Sequence, residues 1–171
     1  MEREYTPRQL EVIAARVRQS VVRSLEVAGS GHAAGPLGLS DIMTALYFAI
    51  LRVRPDEPEW AERDLFVLSN GHCVPVLYAV MAERGFFDKE ELLTLRTFGS
   101  RLQGHPERTS LPGLETTSGP LGCGLSQATG MAYQLQYLEP QPHRFVYCMM
   151  GDGELNERNT WEPALLAGKY K

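Results

Sequence analysis

The chain has 171 residues, a hydrophobic fraction of 43% and a formal net charge of -4, values that suit one soluble globular domain, or part of one, with a core of its own. Lys and Arg are scattered rather than gathered into a stripe, which argues against a nucleic-acid partner. The charged start MEREYTPRQL is no signal peptide and the apolar run IMTALYFAIL is too short to cross a bilayer, so no membrane partner is expected and the expected compartment is cytoplasmic.

In chain order, Leu10, Ile13, Val17, Val21 and Leu25 recur at spacings of three and four and predict a helix over 9–27. The glycine-rich linker GSGHAAGPLG follows. Ser40 then caps a second expected helix with a face of Ile42, Leu46, Ala49 and Ile50. After the polar, proline-bearing RPDEPEWAERD, the run LFVLS reads as a strand, and SNGHC leads into a helix with Pro75 near its start and Gly85 at its end. Asp88 and Glu91 have capping-box spacing for a further helix closed by Gly99. A loop over 100–124 precedes a small-residue helix over 125–138. The run 145–150 is apolar, as expected of a strand buried on both faces. Strands separated by helices predict a layered α/β fold, with a mostly parallel sheet flanked by helices.

Cys73, Cys123 and Cys148 are odd in number and lack CxxC spacing, which speaks against a disulfide framework or structural zinc. Three of the four histidines follow a glycine: His32, His72 and His105. Glycine lets backbone approach a ligand closely, and histidine offers a proton near neutral pH. His143, between Pro142 and Arg144, is assigned no role. His72 lies at a strand-to-helix junction that favours an anionic group; the plainer reading has Ser69 and Asn70 capping the helix and His72 facing solvent. The loop TTSGPLGCGLSQATG sets Gly119, Gly122 and Gly124 around Pro120 and Leu121, a setting for a flat heteroaromatic ring or a plain surface loop. GLSQA approaches a nucleophile elbow at Ser126, but it follows a loop where that elbow follows a strand. Asp152, between Gly151 and Gly153 at the end of the last strand, is placed where open α/β sheets bind ligands, and a lone carboxylate there suits magnesium; Asp-Gly is equally a turn signal.

Taken together, SGHAAGPLG, LSNGH, QGHPE, TSGPLGCGLS and GDGELNE followed by WEPALLAGKYK closely resemble, in order and separation, the N-terminal part of transketolase, from about Arg16 to the last residue. The resemblance implies a thiamine diphosphate-binding fold, incomplete at the C-terminus, with residues 1–171 forming a single partial domain. It implies thiamine diphosphate and magnesium as cofactors. It also implies a partner module or subunit that binds the pyrimidine, a dimer in the complete enzyme, and sugar phosphate substrates. By motif, His32 and His105 would serve the ketose substrate or its proton transfers, and His72 would lie beside the diphosphate. Gly119, Pro120 and Leu121 would line the thiamine pocket, Gly153 would touch the diphosphate and Asp152 would bind the metal. Glu157 and Glu162 match acidic positions near the subunit interface, Glu157 in a relay between paired sites.

Arg158 stands where the family has glycine, Pro163 where it has alanine, and Ala33 where it has proline. Asn159 and Glu162 are expected to cap the last helix, with Pro163 in or near its first turn. The family's asparagine pair that completes the metal site lies beyond Lys171, as do its catalytic glutamate and phosphate-gripping arginines. The expectation is therefore a section that supplies half of a ketol-transfer site and is inactive alone. Alternatives are a related thiamine diphosphate enzyme such as deoxyxylulose phosphate synthase, or a non-catalytic remnant acting as an interaction protein through apolar faces.

Overall fold

The computed structural model describes residues 5–170; the first four residues and Lys171, where the family-like motifs end, lie outside it. The chain packs as two compact units, one formed by residues up to 60 with 72–104, the other by 61–71 with the residues from 105 on.

The first unit is helical. Helix α1, Pro7–Ala28, opens on a capping box in which Thr6 accepts from the Gln9 N–H and Gln9 accepts from the Thr6 N–H, and it stops at Gly29 in the left-handed conformation. Ile13, Val17 and Val21 of the expected stripe are buried, together with Ala14 and Ser24. Each apolar side chain so buried contributes about 1.5–3 kcal/mol.

Helix α2, Ala34–Ala45, begins well before Ser40 and takes up half of the expected linker. Ser40 is not its cap: its hydroxyl is buried inside the helix and donates to the Pro36 carbonyl, 3.0 Å away. The buried face is Pro36, Ser40, Met43 and Thr44, and Ile42 and Ile50 are about half exposed. Of the expected face only Leu46 is buried; Met43 and the small, hydroxyl-bearing Ser40 and Thr44 form the contact side in place of Ile42, Ala49 and Ile50. A π turn over Leu46–Ile50, closed by Leu51 N–H to the Leu46 carbonyl, then rotates Leu46, Tyr47 and Phe48 inward.

Helix α3, Val74–Arg84, packs on α1 and α2 and is buried from Val74 through Ala82, as its unbroken apolar sequence demands. Pro75 occupies its first turn and Gly85 ends it with φ 101°. The carboxylate of Glu83 then ties the unit together, pairing with Lys89 and, at 3.5 Å, with Arg16. The helix expected after Asp88 is a short 3-10 segment, Lys89–Thr94. Asp88 does cap it, accepting from the Glu90 N–H, but Glu91 reaches outward to Arg101 with a fork of 2.5 and 2.8 Å. That pairing, with its hydrogen bond first, holds the Arg101 guanidinium pKa above its ordinary value.

The second unit holds the sheet. Strand β1, Leu65–Leu68, and strand β2, Val146–Met149, run parallel, with Leu65 opposite Val146 and Leu68 opposite Met149. Asp64, buried, accepts from the Phe145 N–H at 2.9 Å, and the Arg144 guanidinium donates to the Arg63 carbonyl at 2.7 Å. These bonds fix the register one step ahead of the ladder. Helix α4, Gly124–Tyr133, packs on both strands and runs into a second π turn, Gln134–Leu138.

The α/β expectation with a parallel sheet flanked by helices holds; the burial of β2 does not. All four of its residues are only half-buried, since among the described residues β1 is its one strand neighbour. Helix α5, Arg158–Tyr170, packs on α4. Asn159 and Glu162 do not cap it: Glu162 pairs with Arg158 one turn back, and the Asn159 amide points to the Cys123 sulfur. Pro163 lies inside the helix, past its first turn, and cannot donate to the Asn159 carbonyl. The Ser126 hydroxyl donates to that carbonyl instead, at 3.4 Å.

Candidate cofactor site

In the first unit, His32 lies in the loop between α1 and α2, and His72 in a 3-10 turn, Gly71–Cys73, that leads into α3. The structure brings these two expected site residues together, with ring centroids 5.1 Å apart and planes tilted by 59°. His32 is exposed and His72 half-buried. The glycine beside His32 is required: Gly31 has φ 131°, and a Cβ there would meet Leu25 Cδ2 at 2.5 Å. Arg96, the one non-glycine residue with positive φ among those described, lies against Gly31 and Gly104. The plain alternative for Ser69 and Asn70 as helix caps fails, because Cys73 holds the cap position of α3 and the Ser69 hydroxyl is committed elsewhere.

The second unit carries His105, Gly119, Pro120, Leu121, Asp152, Gly153 and Glu157. His105 is exposed, and its Cδ2 lies 3.7 Å from where a Cβ of Gly119 would stand. Pro120 and Leu121 are both exposed, Leu121 to 40%, so two apolar groups face outward between glycines. The strand β2 ends at Met149, and Asp152 opens a 3-10 helix, Asp152–Asn156. Asp152 and Gly153 are exposed, and nothing lies within 4 Å of a Cβ added at Gly153. Glu157 leaves no room for a side chain at Gly122, where a Cβ would lie 2.7 Å from the Glu157 Cβ.

The residue that organises these segments was not singled out by sequence reasoning. Glu154 is fully buried. One of its oxygens accepts from the Ser69 hydroxyl at 2.5 Å and from the Gly122 N–H at 2.8 Å; the other accepts from the Gly151 N–H at 2.8 Å. The Ser69 oxygen in turn accepts from the Gly124 N–H at 3.1 Å, and the Thr160 hydroxyl donates to the Glu154 carbonyl at 2.6 Å. The end of β1, the glycine loop and the turn after β2 are thus fastened to one carboxylate. A glutamate three residues into a turn can reach back to the N–H that opens it, here that of Gly151, and this half of a capping box was the available signal for it. Burial first, and the Glu154 charge second, push the Cys148 thiol on β2 up to about 12.

The residues present fit magnesium and a diphosphate. Asp152 offers a hard oxygen in the open, and no group of three or more metal-binding side chains forms among the described residues. A single exposed carboxylate is the kind of ligand used by a cation that keeps phosphate oxygens and water as its others. Pro120 and Leu121 offer an apolar surface for a ring, and Gly153 leaves space for phosphate oxygens. Among the described residues no helix is long and apolar enough to cross a membrane.

Residues 10–171 match the family described as transketolase, thiamine diphosphate binding domain. Transketolase of Mus musculus is 43% identical over 162 residues, which cover 95% of this chain and 26% of that protein. An apulose-4-phosphate transketolase subunit of Phocaeicola vulgatus is 41% identical over 162 residues, covering 95% of this chain and 57% of that protein. Among solved structures, transketolase from Campylobacter jejuni superposes with a TM-score of 0.89 at 34% identity, over 98% of this chain and 27% of that one. The chain therefore spans about a quarter of the mouse and Campylobacter proteins and a little over half of the subunit-type relative.

Proposed function

The chain belongs to the transketolase thiamine diphosphate-binding domain family, and from that premise we propose that its residues form the diphosphate side of a thiamine diphosphate and magnesium site for transferring a two-carbon ketol unit from a ketose phosphate to an aldose phosphate. The observation that carries this reading is the exposed Asp152–Gly153 pair at the carboxyl end of β2, tied through Glu154 to the glycine loop that presents Pro120 and Leu121.

When bound, thiamine diphosphate supplies an electron sink for breaking the carbon–carbon bond beside a carbonyl. Asp152 holds the cation, whose charge offsets that of the diphosphate. Gly153 makes room for phosphate oxygens, and Gly119, Pro120 and Leu121 cover the ring and keep water from it. His72 would lie beside the diphosphate, to which an imidazole can offer an N–H. His32 and His105 exchange protons with sugar hydroxyl oxygens, a task suited to an imidazole, which offers both a donor and an acceptor nitrogen. Glu157 belongs to a relay at a subunit boundary.

The pyrimidine side comes from residues outside these 171, in a partner module or subunit, and the complete enzyme is a cytoplasmic dimer. The subunit-type relative supports that division. These 171 residues alone are then inactive. The test supplies magnesium and thiamine diphosphate with and without a pyrimidine-module partner and follows two-carbon transfer. Activity only with the partner supports the reading; turnover by the 171 residues alone overturns it.

A further inference from the structure

Glu154 is a carboxylate at zero exposure whose hydrogen-bond donors are all neutral: the Ser69 hydroxyl and the N–H groups of Gly122 and Gly151. Burying a carboxylate without a cation is costly, and an apolar residue in its place would leave all three of these donors without an acceptor. Its chemistry therefore points to a task that apolar packing does not perform. Only a carboxylate presents two acceptor oxygens, and here one faces the glycine loop while the other faces the turn after β2. A glutamine in its place keeps one acceptor and turns an NH2 towards either the Gly122 or the Gly151 N–H.

Two glycines next to these segments, Gly124 and Gly71, have no slack. A Cβ at Gly124 would lie 2.4–2.6 Å from three atoms of Ser69, and one at Gly71 would lie 2.8 Å from the Ser118 backbone. With Gly122 and Gly151 tied to the same side chain, the segments bearing Leu121 and Asp152 cannot shift independently.

We propose that Glu154 is a positioning residue for the diphosphate and magnesium site: it touches neither group, and through Gly122 and Gly151 it holds the ring-covering loop at a set distance from the metal-binding carboxylate. The proposal rests on the function proposed above and names a further residue for the same site.

The test uses the full protein with its partner subunit, thiamine diphosphate and magnesium chloride. The magnesium Kd at saturating thiamine diphosphate is measured by calorimetry, and the tryptophan fluorescence change is followed in parallel. Trp161 is a built-in reporter, since its indole N–H donates to the Leu155 carbonyl beside the turn at 2.8 Å. Glu154→Gln is expected to raise the magnesium Kd about tenfold, the loss of one charge-assisted hydrogen bond, and to shrink the fluorescence change. Ser69→Ala, which leaves the carboxylate and both N–H bonds in place, is expected to raise Kd by a smaller factor, and it decides the matter alone should the glutamine variant fail to fold. Each Kd is set beside the melting temperature of the cofactor-free variant. Lower melting temperatures with wild-type Kd values in both variants make Glu154 a stability residue only and overturn the proposal. No binding by the wild-type protein overturns the proposed function itself and takes this inference with it.

Discussion

The two units hold their glycine-bearing loops by different means. In the first, the glycines meet side chains: Gly31 faces a Leu25 methyl, Gly35 the Cys73 sulfur and Gly104 the Arg96 guanidinium. In the second, two of them meet backbone or the root of a serine: Gly71 faces the Ser118 carbonyl group, and Gly124 faces Ser69 from Cα to Oγ, while Gly122 faces the root of the Glu157 side chain. The end of a flexible side chain can swing aside and a peptide group cannot. The histidine loop of the first unit thus tolerates adjustment at these glycines, whereas the contacts at Gly71 and Gly124 of the second do not.

The sharpest way to break that contrast is Gly124→Ala. We expect it to destabilise by about 3 kcal/mol or more, since overpacking against backbone has no cheap relief, and to lower the melting temperature by about 6–12 °C. A shift under a degree or two in a thermal scan sinks the distinction. Gly31→Ala comes next. Its positive φ costs about 1–2 kcal/mol whatever room is made, while Leu25 turns away; chemical denaturation measures it, and a loss as large as that of Gly124→Ala removes the difference between the units.

Gly35→Ala is milder, about 1 kcal/mol from displacing a buried sulfur, and the double variant with Cys73→Ala should recover most of it. A double-mutant cycle showing additivity shows that the sulfur was not the obstacle. Ser126→Ala removes the donor that answers the Asn159 carbonyl above Pro163, and should cost about 0.5–1 kcal/mol. A fully neutral result means that water serves that carbonyl equally well.

The smallest effect concerns pH. The Cys148 thiol is raised from 9.0 to about 12 by burial and by Glu154. A raised value favours the protonated form in the folded state, so its contribution is complete below pH 9 and is lost as pH rises towards 12. Melting temperature should fall over that alkaline window less steeply in Cys148→Ala than in the wild type, and Cys148 should resist alkylation at pH 8 in the folded protein. Rapid labelling of Cys148 at pH 8 under native conditions contradicts the raised value.

The limits on legibility follow from the range of each interaction. Helix α1, strand β1, helix α3 and the turn at Gly151–Gly153 were readable because periodicity, Pro75, Gly85 and the Asp-Gly step act within a few residues. The family was readable from five ordered motifs, and the match over residues 10–171 bears it out. The face of α2 was not, because the small, hydroxyl-bearing Ser40 and Thr44 are buried in place of Ile42, and a π turn then changes the phase. Nor was the half-buried state of β2, which depends on what lies beside it.

Glu154 marks the boundary most clearly. Its bond to Gly151 spans three residues and left a local signature, but its bonds to Gly122 and Ser69 span 32 and 85. By itself the sequence determined the kinds of groups available, their order and the local turns that carry them. Tertiary structure alone decided which acid is buried and which stands open, because burial depends on donors that only folding brings within hydrogen-bond reach.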